Sequence, residues 1–316
     1  MPAFTSTSPG KIILFGEHAV VYGQPAIAVP VTQVRARVTV LPQPRAPRGQ
    51  VSIHAPDVGL QTTLDALPAD HPLAAAIRGV MTELSVEHIP ACMVRISSSI
   101  PVASGLGSGA AVSVALIRAL AAYLGRPLAD ERVSALAFEV EKIHHGTPSG
   151  IDNTVVTYRQ PVFFIKGRPL ETFSIRQPFT LLIADTGVAS PTKETVADVR
   201  AAWQAEPARY ERLFAAAGSI ARAARQAIEA GQPQRLGPLM NENHALLQEM
   251  GVSSHHLDAL VRAAREAGAL GAKLSGGGRG GNMIALVQAE TKDRVARVLS
   301  EAGAVRVIET EVRNQE

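Results

Sequence analysis

A glycine-rich turn at residues 101–111, Pro-Val-Ala-Ser-Gly-Leu-Gly-Ser-Gly-Ala-Ala, constrains this chain more than any other segment. It follows a β-type run from Cys92 to Ile100 and leads into a helical, alanine- and valine-rich run from Ala110 to Leu124. Glycines at 105, 107 and 109 remove the Cβ atoms that would hold a ligand away from the backbone. The unpaired N–H groups of the first helical turn, and the positive end of its dipole, then face that ligand. This is the recipe for holding a phosphate. A tight strand-to-helix connection also explains the glycines, so the segment alone leaves both readings open.

Two named phosphate motifs are excluded. A Walker loop ends in Gly-Lys-Ser or Gly-Lys-Thr, and neither occurs. Gly105-x-Gly107-x-x-Ala110 mimics a dinucleotide fingerprint, which also needs an acid at the end of a second strand. Asp130 has the offset, but it opens a helix after Pro127.

Composition narrows the class further. The 316 residues, 46% hydrophobic and 19% charged, suffice for one or two globular domains. No apolar run reaches the roughly 18 residues that cross a bilayer. The N-terminal residues lack the pattern of a signal peptide, so a cytoplasmic setting is expected, with no membrane partner. One cysteine, Cys92, excludes an internal disulfide framework and a cysteine-rich zinc site. The net charge of +3 comes from scattered basic residues, not from runs interleaved with aromatics, so no nucleic-acid partner is expected.

Periodicity predicts strands at Ile12–Phe15, Ala26–Val29, Val34–Val40 and Val51–His54, with a proline-rich loop between the last two. Helices are expected at His71–Leu84, Ala110–Leu124 and Asp130–His145, the last stopped by Gly146. Beyond a strand at Thr180–Ala184, helical patterns cover 192–230, 233–249 and 255–267. Strands at Met283–Val287 and Val305–Glu309 flank a final helix. The fold class is α+β, with a soft boundary after Gly167-Arg168-Pro169 that separates lobes 1–170 and 171–316.

Three further clusters carry chemistry. Lys11 stands at a strand entrance, with Glu17 and His18 just beyond the strand. Read alone, these are an exposed lysine and a solvated turn. Glu141 and Asp152 are 11 residues apart, across a helix end and a Thr-Pro-Ser-Gly turn that can bring two carboxylates together, one as metal ligand and one as base. Adjacent His144 and His145 point to different sides of a regular helix, which marks a helix end and not a shared metal. Finally, Lys273-Leu-Ser-Gly-Gly-Gly-Arg279-Gly-Gly-Asn282 carries five glycines in six positions, implying close backbone approach.

Together the four clusters resemble the superfamily of galactokinase, homoserine kinase, mevalonate kinase and phosphomevalonate kinase. The stretch from Pro9 to Ala28, with Gly16-Glu17-His18-Ala-Val-Val-Tyr22-Gly23, is similar to its mevalonate kinase branch, as is Asp185-Thr-Gly-Val-Ala-Ser-Pro-Thr192-Lys193. The resemblance covers essentially the whole chain. It implies a two-lobed fold with the nucleotide in a cleft, ATP as co-substrate, Mg2+ as cofactor, mevalonate as the acceptor, and commonly a homodimer. Phosphoryl transfer asks mainly for positioning and charge neutralisation. By resemblance Asp152 is the base, and Lys11 favours its ionised form and stabilises the alkoxide. Glu141, with Ser108, holds the magnesium. The segment Pro101, Val102, Ala103, Ser104, Gly105, Leu106, Gly107, Ser108, Gly109, Ala110, Ala111 wraps the ATP phosphates. Glu17, His18 and Thr192 face the mevalonate. A kinase for its 3-hydroxyl, a phosphomevalonate kinase and a silent ligand sensor are the rival readings.

Three positions depart from the family pattern, among them Asn282, where cysteine is often found. Gly109 replaces the usual second serine of Gly-Leu-Gly-Ser-Ser, and Arg279 stands where a small residue is usual, free either to reach phosphate or to point to solvent. Restoring the hydroxyl with Gly109→Ser is expected to tighten magnesium dependence. Titrating turnover against Mg2+ checks this, and an unchanged requirement would make the hydroxyl irrelevant.

Overall fold

A computed structural model describes residues 2–101, 104–145, 148–169 and 171–314, with His144 and His145 described by backbone alone. Val102, Ala103 and the expected stop at Gly146 therefore lie outside the described residues. Helices and strands mix along the chain, as an α+β fold requires. They form two compact units. The first takes residues 1–10, 34–101 and 107–159, the second 11–33, 102–106 and 160–316. A single cut near residue 170 thus follows chain order, whereas the units interleave. The reason is that β1 (Phe4–Phe15) and β2 (Ala26–Pro42) each run through both.

Strand β2 joins two runs expected to be separate. Its first residues, Ala26 to Val31, are buried on both faces. From Val34 burial alternates, with Ala36, Val38 and Val40 inward and Arg35 and Arg37 outward. The break suggested by Thr32 and Gln33 is only a change from a two-sided to a one-sided environment.

In the first unit, β3 (Val51–Ala55) pairs parallel with β5 (Cys92–Ser98), and β4 (Leu60–Thr63) adds antiparallel to β3. The second half of β2 pairs antiparallel with β5, setting Val38 opposite Ile96. Four helices accompany this sheet: α1 (Pro72–Glu83), α2 (Ser108–Tyr123), α3 (Asp130–His145) and α4 (Ile151–Tyr158). Helix α2 is apolar nearly all round, so it fills the centre, and α1, α3 and α4 pack on it. Arg118 on α2 ties the group together, donating to Asp130 Oδ1 at 2.5 Å and to the Thr157 carbonyl at 2.7 Å.

In the second unit, β6 (Val162–Phe164) pairs with the first half of β2, and β7 (Glu171–Thr172) with β6. A separate antiparallel sheet has the order β11 (Arg306–Val312), β8 (Phe179–Asp185), β10 (Asn282–Val287), β9 (Gly271–Ser275). Helices α5 (Thr192–Ala205), α6 (Pro207–Glu229), α7 (Leu236–Glu249), α8 (His255–Glu266) and α9 (Ala289–Glu301) complete it. The pattern over 192–230 divides at Pro207, whose missing N–H ends one helix and suits the first position of the next. Leu182, Phe214, Leu247, Leu257, Leu274 and Met283 lie in one buried cluster here.

Candidate functional site

The first unit presents the two carboxylates on neighbouring helices. Glu141 lies in the last turns of α3 and is 3% exposed. Asp152 is not in the loop that the Thr-Pro-Ser-Gly sequence suggests. It sits in the first turn of α4, entered through Gly150 at φ 86°. The next residue fixes that turn. Asn153 is buried, and its Nδ2 donates to the Ser134 carbonyl at 3.1 Å and to Ser134 Oγ at 2.9 Å on α3. Packing of α4 on α3 therefore sets where Asp152 stands. Ser108 opens α2 after Gly107, at φ 71°, so the unpaired N–H groups of the first turn of α2 begin directly at the glycine-rich segment.

The second unit gathers the other predicted residues, together with a lysine that sequence reasoning did not assign. The residues read as an exposed lysine and a solvated turn are all buried: Lys11 is 4% exposed, Glu17 1% and His18 6%. Lys11 also lies inside β1, not at its entrance, and its N–H donates to the Leu106 carbonyl at 2.9 Å, tying β1 to the glycine-rich segment. Gly16 makes the turn after β1 possible. Its φ is +92°, and a Cβ there would lie 2.4 Å from the Pro25 carbonyl oxygen. The 3-10 turn Ala19–Tyr22 then anchors the segment, with Tyr22 stacked on Phe214 at 4.1 Å and edge-on to Trp203 at 5.2 Å.

Glu17 meets Lys273, the middle residue of β9 and wholly buried. Lys273 Nζ donates to Glu17 Oε1 and, at 2.7 Å, to the Leu274 carbonyl. Burial pushes the carboxyl up and the ammonium down, and contact between them works against both shifts, with Lys11 adding to the effect on Glu17. Glu17 Oε2 is buried with no hydrogen-bond partner among the described residues. A buried carboxylate oxygen of this kind can accept a further hydrogen bond.

His18 has an unusual backbone, φ 57° with ψ −49°, and its Nε2 lies 3.0 Å from the Gly277 carbonyl. Burial lowers its pKa to about 4, so the ring is neutral at pH 7. Nε2–H donates to Gly277, leaving Nδ1 as the acceptor. Gly277 also abuts Thr192, the exposed first residue of α5: a Cβ on Gly277 would fall 2.5 Å from Thr192 Oγ1. His18 and Thr192 are thus brought together at Gly277, and Glu17 is held by Lys273 on the strand that leads into the same loop. That loop also reaches the first one, for Asn282 Nδ2 donates to the Ser104 carbonyl. Arg279 pairs with Asp198 on α5 and donates to the Gly251 carbonyl.

Behind β9 stands a second histidine. His244 on α7 accepts the Leu274 N–H on Nδ1 at 3.3 Å and faces Asp258 from Nε2 at 3.2 Å. Burial lowers its pKa to about 4 as well.

With this geometry in place, sequence and structure comparisons become decisive. Residues 73–160 match the GHMP kinases N terminal domain and residues 224–305 the GHMP kinases C terminal domain. A mevalonate kinase of Thermococcus sibiricus is 36% identical over 96% of this chain and 94% of its own. The chain belongs to the GHMP kinases. Another GHMP kinase relative, a mevalonate kinase of Aeropyrum pernix, is 37% identical over 90% of this chain and 88% of its own. A crystal structure of the L. major mevalonate kinase in complex with R-mevalonate superposes with a TM-score of 0.84. It has 32% identity and covers 98% of this chain and 96% of that one.

Two expectations follow. Lys273→Met strands a buried carboxyl and should lower the unfolding free energy by about 3–5 kcal/mol, most of which Glu17→Gln in the same chain restores. Urea titration of the single and double variants checks this, and a Lys273→Met protein as stable as the parent would contradict it. For the histidines, the folded pKa values lie below the unfolded value of 6.5. The unfolded chain therefore binds more protons between pH 6.5 and pH 4. The stability they lend is complete above pH 6.5 and is lost as pH falls through that window, by about 3 kcal/mol at most for each. His244→Gln should flatten the slope of stability against pH between these limits; an unaltered slope would remove His244 from the account.

Proposed function

We propose that this chain transfers the γ-phosphoryl group of ATP to the primary hydroxyl of mevalonate, giving 5-phosphomevalonate on the route to isoprenoids. The observation that carries the reading is the meeting of His18 and Thr192 at Gly277, with Glu17 held by Lys273 on the strand that leads into the same loop and both Glu17 and His18 buried. Buried acceptors and donors beside a loop of bare backbone suit a small polyol acid, not an extended polymer.

Each group has a task. Asp152 takes the proton of the attacking hydroxyl, and the seat of α4 on α3 fixes the turn that carries it. Lys11 stabilises the alkoxide charge as it develops. Glu17 Oε2 and His18 Nδ1 accept hydroxyl protons from mevalonate, and Thr192 supplies a donor for its polar end. Residues from Ser104 through Ala111, with Val102 and Ala103 before them, give N–H groups to the phosphates.

The donor set fits magnesium. Among the described residues no group of three or more His, Cys, Asp or Glu side chains can hold a metal. One buried carboxylate, Glu141, and the hydroxyl of Ser108 suit a hard cation that takes the rest of its shell from phosphate and water. When bound, magnesium shields the charge of the triphosphate. Among the described residues no helix is long and apolar enough to cross a membrane.

A coupled ADP-release assay with mevalonate, followed by NMR location of the new phosphate, tests the reading. Phosphorylation at the primary hydroxyl is expected; a product phosphorylated at the 3-hydroxyl, or no turnover, would overturn it. In the same assay Asp152→Asn should lose on the order of 10²-fold or more in turnover. Near-normal turnover would take the base role from Asp152.

A further inference from the structure

Arg279 is the one residue in the run Gly276–Gly281 with a side chain, and the backbone disfavours it there. Its φ is +57°, in the left-handed region where glycine is the unstrained choice. A side chain retained at such a place needs a compensating role. The guanidinium reaches out of the loop on two sides. NH1 pairs with Asp198 on α5, six residues after Thr192, while Nε and NH2 each donate to the Gly251 carbonyl at 3.4 Å, just after α7. The backbone continues the clamp: Arg279 N–H donates to the Val252 carbonyl at 2.8 Å. Its neighbour Gly278 lies so close that a Cβ there would stand 2.0 Å from the same oxygen.

Two residues upstream, the Gly277 carbonyl takes the His18 Nε2–H, and its Cα rests against Thr192. The clamp therefore fixes both the loop that chooses the His18 tautomer and the helix that starts with Thr192. Charge works in the same sense, since the cation of Arg279 opposes protonation of His18.

We infer that Arg279 is a positioning residue for mevalonate, acting through the Gly277 carbonyl to hold His18 as its Nε2–H tautomer with Nδ1 turned to the substrate hydroxyl. The inference rests on the substrate role proposed for His18. Loss of the clamp should weaken mevalonate binding and leave the phosphoryl step intact. Because the Arg279–Asp198 pair is partly exposed, at 36% and 58%, the effect is small.

The test uses the full chain and two replacements that suit a left-handed backbone, Arg279→Asn and Arg279→Gly. Both are expected to raise the KM for mevalonate about twofold to fivefold, with kcat and the KM for ATP unchanged. The 15N signals of the His18 ring should move from a single Nε2–H tautomer in the parent to an average of two. Asp198→Asn should reproduce the KM effect, and the double variant should add little to either change. A KM for mevalonate unchanged in both Arg279 variants, or a raised KM with the tautomer unaltered, overturns the inference. His18→Asn separates this failure from that of the underlying reading. If it leaves the KM for mevalonate untouched, His18 is not a substrate group. If it raises the KM while the Arg279 variants do not, only the clamp is wrong.

Discussion

The arrangement of the second unit depends on one ion pair, Lys273 with Glu17, formed across 256 residues of sequence and shut away from water. Taking two charges out of water costs several kcal/mol each, which their attraction only roughly offsets. Packed apolar residues would do the structural work as well. What the pair achieves is register. It holds the turn after β1 against the middle of β9, and β9 leads directly into the second glycine loop. With Glu17 fixed, His18 falls within reach of Gly277, and Gly277 against Thr192. His244 supports the arrangement from behind by accepting the N–H of the residue next to Lys273.

The first unit solves a different problem by different means. Its two carboxylates, Glu141 and Asp152, sit on helices packed on an almost wholly apolar α2, and uncharged hydrogen bonds do the fixing. Asn153 and Ser134 join α4 to α3 without the desolvation cost of an ion pair. Such contacts add no charge beside Glu141 and Asp152.

Much of this was legible in the residues themselves. Glycine spacing announced the tight turn that enters α2, where Gly105 and Gly107 take positive φ. The long helices followed from alanine-rich periodicity, and Asp130 marked the start of α3. What escaped was non-local. Strand β9 went unassigned because a lysine stands at its centre, and nothing within Gly271–Ser275 tells of the carboxyl that neutralises it. For the same reason Glu17 and His18 looked like a solvated turn. Helix α4 was missed because its eight residues start immediately after a glycine, where local rules favour a loop. The break seen in β2 came from reading a change of surroundings as an end of strand. Arg279 was left undecided between phosphate and water; its true partners, Asp198 and Gly251, are adjacent only once α5 and α7 have packed.

The aromatic anchor behind the His18 turn has an optical consequence. Trp203 is the chain's sole tryptophan, and it sits edge-on to Tyr22, four residues after His18. Indole emission from this protein therefore originates at a single spot, next to the turn that carries His18.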